Sequence, residues 1–290
     1  MIKQTVDLLA KLGLGEYRTI QKVYVLMKSY LKSDFAEING HKMFLDKEDT
    51  LSLSIRGVWE KFETECIKKI LTKEMVVIDL GANIGYYTLI FAKLVGPQGK
   101  IFAFEPEPNN FDLLKKKTLI NGYQNVVLEQ KAISNKNERL KLYLDKKNLG
   151  AHKLFFTHAD QKFIEVDVIT LDDYFNNYDG NIDFIKMDVE GSEILIIEGM
   201  SNLLKKNTNI IMMVEFAPIL IKKAGRNPEE LLEILTKHDF KLFELNPKKE
   251  SIMRVNIPEL LQRCTTTRQN STNLLCVKGN LNGNLIKVIS

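Results

Sequence analysis

Two acidic residues end two neighbouring apolar runs in this 290-residue sequence. Asp79 closes the run V-V-I-D, and Glu105 closes the run K-I-F-A-F-E. If both runs are parallel strands, their carboxyl ends meet at the same edge of a sheet, where α/β proteins bind their ligands. A carboxylate beside a tight turn suits a cationic amino-acid group, and one at the next strand end can accept hydrogen bonds from both hydroxyls of a ribose.

The turn after Asp79 narrows the type of ligand. The segment V-V-I-D-L-G-A-N-I-G-Y-Y-T, residues 76–88, places Gly81 and Gly85 between a β-branched run and a helix. Glycines let the backbone turn at positive φ and come close to a ligand, and amides at a helix start point into the cleft. The spacing differs from the G-x-G-x-x-G turn that receives a pyrophosphate, and the acid before it would repel a phosphate. S-adenosylmethionine, which has a cationic amino-acid group and no phosphate, fits both acids.

A third segment, I-D-F-I-K-M-D-V-E-G-S-E at residues 182–193, brings further acids to the same edge. Asp188 follows a strand and is expected to face the reacting end of the cofactor or the acceptor. Glu193 is expected mainly to stabilise the start of the next helix. For an alcohol acceptor, which needs a base or a metal, the candidates are Asp188, Glu190, His152 and Glu215. Asp188 and Glu215 could instead hold Mg²⁺, an alternative that we do not favour.

Short apolar runs alternate with helical stretches from Glu74 onward, which predicts a parallel α/β sheet. The expected strands lie near 75–80, 100–105, 125–130, 182–188, 209–215, 240–245 and 273–278. The expected helices lie near 85–95, 109–121, 192–206 and 228–238. An insertion at 134–180 carries two β-like runs, Leu140–Leu144 and Phe163–Ile169, and could shape a substrate pocket.

The first 56 residues are expected to form an extension before a domain at 57–290. Residues 1–32 have apolar positions at helical spacing and predict two short amphipathic helices. These would brace the main domain, form a dimer contact or touch a membrane surface weakly. Asn39-Gly40 between two alternating runs predicts a β-hairpin.

Charge and composition limit the class of partner. The formal net charge is +4, which is too small for a dedicated nucleic-acid binder, so no nucleic-acid partner is expected. The basic run Lys115–Lys117 is expected to be a solvated helix face. Three widely spaced cysteines and the lack of a long apolar run are typical of a soluble cytoplasmic protein.

The segment from Gly57 to about Glu215 resembles the FkbM methyltransferase family. The similar motifs are V-I-D-L-G-A-N-I-G-Y-Y-T, A-F-E-P-E-P, T-L-D-D-Y at 170–174 and K-M-D-V-E-G-S-E. The resemblance implies a Rossmann-like class I methyltransferase sheet with strand order 3-2-1-4-5-7-6, the last strand antiparallel, and helices on both faces. It also implies O-methylation of a sugar, a glycan or another small-molecule hydroxyl.

By position, the resemblance assigns cofactor binding to Asp79, Gly81, Asn83, Gly85 and Glu105, and places Ala132 and Ile133 beside the adenine. Ala82, Tyr86, Pro106 and Asp188 complete the expected cofactor-binding set.

Three other functions stay open at this stage. A methyltransferase acting on nucleic acid is disfavoured because D-V-E-G stands where N-P-P-Y or D-P-P-Y would be expected. A methyltransferase-fold module that only binds or regulates a partner would not need the Asp188 segment. A nicotinamide dehydrogenase would need the missing phosphate turn.

Overall fold

The computed structural model describes residues 35–46, 49, 51–145, 148–157, 159–266 and 271–280. The chain divides into two compact units, residues 1–59 and 60–290. The helices expected within residues 1–32, with their proposed dimer and membrane contacts, lie outside the described residues.

The first unit contains the expected hairpin. Strands β1 (Phe35–Ile38) and β2 (His41–Phe44) pair antiparallel. Asn39 and Gly40 have φ values of 52° and 75°, as a two-residue turn with both central residues at positive φ requires. A short helix, α1 (Leu53–Arg56), follows.

The second unit alternates strands and helices. Its strands are β3 (Val76–Leu80), β4 (Lys100–Phe104), β5 (Val126–Glu129), β6 (Ala132–Ile133), β7 (Glu138–Tyr143), β8 (Phe163–Ile169), β9 (Phe184–Met187), β10 (Ile210–Phe216), β11 (Lys241–Asn246), β12 (Ser251–Arg254) and β13 (Thr272–Lys278). Its helices are α2 (Lys61–Ile70), α3 (Tyr86–Val95), α4 (Pro108–Ile120), α5 (Leu171–Tyr174), α6 (Glu193–Glu198), α7 (Ser201–Lys206), α8 (Pro218–Lys223), α9 (Pro228–Lys237) and α10 (Ile257–Thr266).

The main sheet has the order β12-β11-β13-β10-β9-β3-β4-β5. Strand β13 runs antiparallel to both of its neighbours, β10 and β11, whereas the strands from β10 to β5 are parallel. Without the edge strand β12, which the sequence did not predict, this is the expected order 3-2-1-4-5-7-6. The class I methyltransferase topology is therefore confirmed.

Helices cover both faces of the sheet. On one face, Phe184 of β9 contacts Phe91 of α3, with ring centroids 5.8 Å apart. On the other face, Ile185 and Met187 join a buried core that includes residues of α6, α7, α9 and α10. Because side chains alternate along a strand, Lys186 and Asp188 share the face of Phe184. The sheet thus places polar side chains at the carboxyl end of an otherwise apolar layer.

One helical prediction needs correction, and several helices are missing from the prediction. The helix expected over 192–206 is divided into α6 and α7, because Asp172 binds at the junction. Its amide donates to Gly199 O (3.0 Å), and its carboxylate accepts the amides of Asn202 and Leu203 and so caps α7. Helix α2, which the sequence analysis missed, precedes β3.

Strands β7 and β8 of the insertion form a second sheet together with β6, which directly precedes the insertion, in the order β6-β8-β7. The two β-like runs predicted within it correspond to β7 and β8, so this part of the prediction is confirmed. In the part of the chain that the structure describes, no helix has both the length and the apolar character needed to span a bilayer.

Candidate active site

The glycine turn between β3 and α3 is packed directly against the Asp188 segment. Gly81 has a φ of 74°, and a Cβ atom built on it would lie 2.0 Å from the carbonyl oxygen of Asp188. The amide of Asp188 donates to Leu80 O at 3.2 Å. Only glycine fits position 81, since any side chain would push the two segments apart. The two motifs therefore form one site at the point where the strand order reverses, between β3 and β9.

Asp79 is buried beneath this turn. Its Oδ2 accepts a hydrogen bond from Thr88 Oγ1 (2.6 Å), whereas its Oδ1 is buried and has no hydrogen-bond partner. Burial raises the pKa of Asp79 to about 6, although the nearby charge of Lys186 lowers it. A buried carboxylate oxygen without a donor is costly unless a ligand supplies one. Asp79 therefore fits the ammonium group of a bound amino acid.

Glu105, 5% exposed, lies at the end of the neighbouring strand. Its Oε2 accepts the amide of Asn83 (2.8 Å) and its Oε1 accepts the amide of Glu107 (2.9 Å). Burial raises its pKa to about 7. Each oxygen keeps a second lone pair that can accept a ligand hydroxyl. Glu105 thus anchors the glycine turn and can receive a ribose at the same time.

The prediction for Lys117, beside the glycine turn, is wrong. The run Lys115–Lys117 was expected to be solvated, but Lys117 is fully buried. Its Nζ donates a hydrogen bond to the carbonyl oxygen of Ile84 in the glycine turn. Lys115 and Lys116 are exposed.

Three further residues expected to bind cofactor lie around the turn with different roles. Ala82 is buried in a small cluster with Ala103 and Leu114. The Tyr86 hydroxyl lies 3.2 Å from Thr64 Oγ1, so this side chain ties α3 to α2. Pro106 directly follows Glu105 and is partly exposed.

Ala132 and Ile133 form the short strand β6. Both side chains are buried, Ala132 in the core of the insertion and Ile133 in the main core. A ligand would therefore meet the backbone here, and adenine contact at these two residues stays a prediction.

Lys186 is the main residue that the sequence analysis missed. It is buried and pairs in register with Asp79 across β3 and β9. Its Nζ donates to Asp188 Oδ2 at 3.0 Å and lies 4.7 Å from the centroid of the Tyr87 ring. Burial opposes its charge, yet the carboxylates of Asp188, Glu60 and Asp79 together raise its pKa above the ordinary value.

Glu60 and Tyr87 extend this network. The Tyr87 hydroxyl donates to Glu60 Oε2 at 2.8 Å. Burial raises the pKa of Glu60, and the charge of Lys186 lowers it. Lys186 therefore connects Asp79, expected on the cofactor side, with Asp188, expected on the acceptor side.

Three of the four candidate bases can be compared by their environment. The Asp188 side chain is 36% exposed and keeps an oxygen not bound to Lys186. Glu190 lies 3.4 Å from Lys153 Nζ and is less exposed. His152 Nδ1 accepts the amide of Asp145 at 3.0 Å, which leaves Nε2 to carry the hydrogen and argues against His152 as the base. Burial lowers the pKa of His152, which favours the neutral ring.

The insertion reaches over the glycine turn. Asn110 Nδ2 donates to Leu149 O at 2.8 Å. A Cβ atom on Gly150 would lie 2.6 Å from Asn83 Nδ2, so the backbone of Gly150 lies close to the Asn83 side chain. With Lys153 on Glu190, this segment contacts both motif loops.

Glu215 is near the end of β10, beside β9. Burial raises its pKa well above the ordinary value, and the charges of Asp188, Glu193 and Glu190 raise it further. Among the described residues, no three His, Cys, Asp or Glu side chains are arranged to hold a metal ion. The magnesium alternative for Asp188 and Glu215 gains no support from this geometry.

Part of this chain is similar in sequence to known proteins. The family model described as the methyltransferase FkbM domain matches residues 79–242, more than half of the chain. Methyltransferase sdnD of Sordaria araneosa is 29% identical over 159 residues, 43% of this chain and 60% of that protein. Methyltransferase 1 of Beauveria bassiana is 25% identical over 146 residues, 43% of this chain and 58% of that protein. The chain thus spans about 60% of the length of these relatives.

Among solved structures, methyltransferase FkbM from Methylobacillus flagellatus KT has 15% identity and a TM-score of 0.43, covering 78% of this chain and 52% of that chain. A SAM-dependent methyltransferase from Aquifex aeolicus has 15% identity and a TM-score of 0.41, covering 75% of this chain and 89% of that chain. The family assignment rests on the family model, whose match begins at Asp79 and includes Glu105 and Asp188. The chain belongs to the FkbM methyltransferase family.

Proposed function

We propose that this protein transfers a methyl group from S-adenosylmethionine to a hydroxyl oxygen of a small molecule, sugar or glycan. The observation that carries the proposal is the pair of buried carboxylates at adjacent strand ends. Asp79, with one oxygen lacking a donor, fits the ammonium of the methionine part. Glu105 fits the ribose hydroxyls. The cofactor supplies an electrophilic methyl group on a sulfonium.

The other residues of the site orient the acceptor and accept its proton. Asp188, one strand away from Asp79, takes the proton from the acceptor hydroxyl as the oxygen attacks. Lys186 holds the Asp188 carboxylate in place through its 3.0 Å hydrogen bond. We further propose that residues 57–290 act as the methyltransferase domain and that the insertion at 134–180 helps to form the acceptor pocket, in a cytoplasmic protein.

Cofactor binding can be measured by thermal stability. S-adenosylmethionine and S-adenosylhomocysteine should each raise Tm by several degrees at saturation, because a ligand at about 100 times its Kd stabilises the fold by about 2.7 kcal/mol. NAD should not, since the site lacks a phosphate turn. Equal shifts with NAD, or none with the two sulfur ligands, would contradict the proposal.

Glu105→Ala should lower the affinity for S-adenosylhomocysteine by about 10- to 150-fold for each ribose hydrogen bond lost, since one charge-assisted hydrogen bond contributes about 1.5–3 kcal/mol. The substitution also removes the acceptor for the Asn83 amide, so the thermal stability of the free protein should fall too. Isothermal titration calorimetry gives the affinity, with the exposed Glu138→Gln as control.

A 2′,3′-dideoxy form of the same ligand separates the two roles of Glu105. The wild type should lose affinity when the ribose hydroxyls are removed, whereas Glu105→Ala should lose little more, because the partner is already absent. Equal losses in both proteins would show that Glu105 only anchors the turn.

The acceptor itself can be found by incubation with methyl-labelled S-adenosylmethionine and a panel of glycans, glycolipids and nucleic acids. We expect label on a hydroxyl of a small molecule or glycan. Label on nucleic acid would replace the acceptor class proposed here.

A further inference from the structure

Four carboxylates meet beside the proposed acceptor position. Asp188 and Glu190 belong to the turn after β9, Glu193 begins α6, and Glu215 lies on the neighbouring strand β10. We call these four residues the acidic cluster. Asp188 and Glu190 both raise the pKa of Glu193, and all three raise that of Glu215. Met187 of β9 pairs with Val214 of β10, so Asp188 and Glu215 follow side by side at the ends of these two strands.

Two members of the acidic cluster are each paired with a lysine side chain. Asp188 Oδ2 lies 3.0 Å from Lys186 Nζ, and Glu190 Oε2 lies 3.4 Å from Lys153 Nζ. Both lysines are buried and are held by other groups as well. Lys153 Nζ also donates to Ala151 O at 2.6 Å.

Glu193 and Glu215 form no ion pair with any of the described lysines, arginines or histidines. Glu193 is 0% exposed. Its Oε1 accepts the Gly191 amide at 3.1 Å, which agrees with the expected role at the helix start, but its Oε2 is buried without a partner. Burial raises the pKa of Glu193 to about 7. A buried acceptor oxygen among three other carboxylates calls for a donor that also carries positive charge.

A primary ammonium meets this need better than a metal ion or an anion. It has three N–H donors and reaches carboxylate oxygens at about 2.7–2.9 Å, so it can bridge groups that are too far apart to ligate one metal ion. Within the described residues, no trio of side chains is arranged for a metal. An anionic acceptor would be repelled by the cluster.

We infer that the acceptor carries an ammonium group as well as its reacting hydroxyl, and that the acidic cluster binds this ammonium. The inference rests on the proposed function. The acceptor can enter past Asp188, whose side chain is 36% exposed, and Glu190, at 19%. Its ammonium then reaches Glu215 and the free oxygen of Glu193, while the hydroxyl lies at Asp188. The substrate class is an amino alcohol such as an amino sugar.

The test uses the protein saturated with S-adenosylhomocysteine and three probes: glucosamine, galactosamine and kanamycin A. Each is paired with its N-acetylated form, which keeps the hydroxyls and removes the charge. Calorimetry should show the free amines binding about 10- to 150-fold more tightly than the acetylated forms, the range expected for one charge-assisted hydrogen bond. Equal binding of both forms, or no binding of any amine, overturns the inference.

Substitutions within the acidic cluster test whether the amine binds there. Glu193→Gln and Glu215→Gln should each reduce the preference for the amine, and the double variant should abolish it. Glu233→Gln, at an exposed position of α9 where Glu233 pairs with Lys237, should keep the preference. If the preference persists in the double variant, the amine binds elsewhere and the inference is wrong. Stabilisation by S-adenosylhomocysteine alone is measured first, so a failure of the proposed cofactor is recognised separately.

Discussion

Lys186→Met should destabilise the protein by about 3–5 kcal/mol, the usual cost of removing one partner from a buried ion pair. Lys186 is the cation that Asp79, Glu60 and Asp188 share inside the sheet. Met fills a similar volume but leaves these carboxylates without a counter-charge. Chemical denaturation at neutral pH measures the loss. Lys186→Arg should lose less, because it keeps the charge, and the exposed Lys205→Met should lose almost nothing.

The loss should depend on pH in a defined direction. In the wild type, the charge of Lys186 lowers the pKa of Asp79 and Glu60. Without it, both folded-state pKa values rise further above their unfolded values, so the folded variant binds protons that the unfolded chain does not. Its free energy of unfolding then falls as pH rises, and the deficit should be larger near about pH 8 than near about pH 6. Lys186 itself stays charged throughout this range.

The pH dependence of ligand affinity in Lys186→Met should also shift to higher pH. An ionised Asp79 is needed to bind an ammonium, and its pKa of about 6 predicts that wild-type affinity for S-adenosylhomocysteine falls below that pH. In Lys186→Met the fall should begin at higher pH. A deficit in stability that does not change with pH, together with an unshifted affinity profile, would show that Lys186 acts only through packing.

The positions of the main strands could be predicted because these strands are buried on both faces, whereas their order in the sheet was implied only by the resemblance to the FkbM family. Their β-branched runs, such as Val76–Leu80, are separated by helical stretches, and each parallel crossover demands a helix. The acids at the strand ends, Asp79, Glu105 and Asp188, could be found for the same reason. A polar residue at the end of a buried run lies at the edge where ligands bind.

Other parts of the site depend on contacts that no local pattern specifies. Lys186 gave one signal, a lysine inside the run I-D-F-I-K-M, since a cation in a buried strand needs carboxylate partners. Glu60 gave no such signal in the sequence, because it precedes a helix that lies far from the motifs along the chain. Glu193 was recognised only as a residue at a helix start.

Asp188→Asn should lower the rate of methyl transfer by about 10²–10⁴-fold, the usual range for loss of a general base. The amide oxygen of Asn can still accept the hydrogen bond from Lys186, so the fold and the binding of S-adenosylhomocysteine should be largely kept. What Asn cannot do is accept the proton of the acceptor hydroxyl. Single-turnover kinetics with saturating S-adenosylmethionine and the identified acceptor measures the chemical step directly.

Glu190→Gln is the matched control for this prediction. Glu190 follows Asp188 by two residues but is held by Lys153 and is less exposed, so its substitution should slow the chemical step far less. A larger loss in Glu190→Gln than in Asp188→Asn would move the base to Glu190. If a chelator abolishes the wild-type rate and Mg²⁺ restores it, Asp188 acts as a metal ligand instead. An Asp188→Asn enzyme with the full wild-type rate would exclude both roles, because neither a base nor a metal-binding carboxylate can be replaced by an amide without loss.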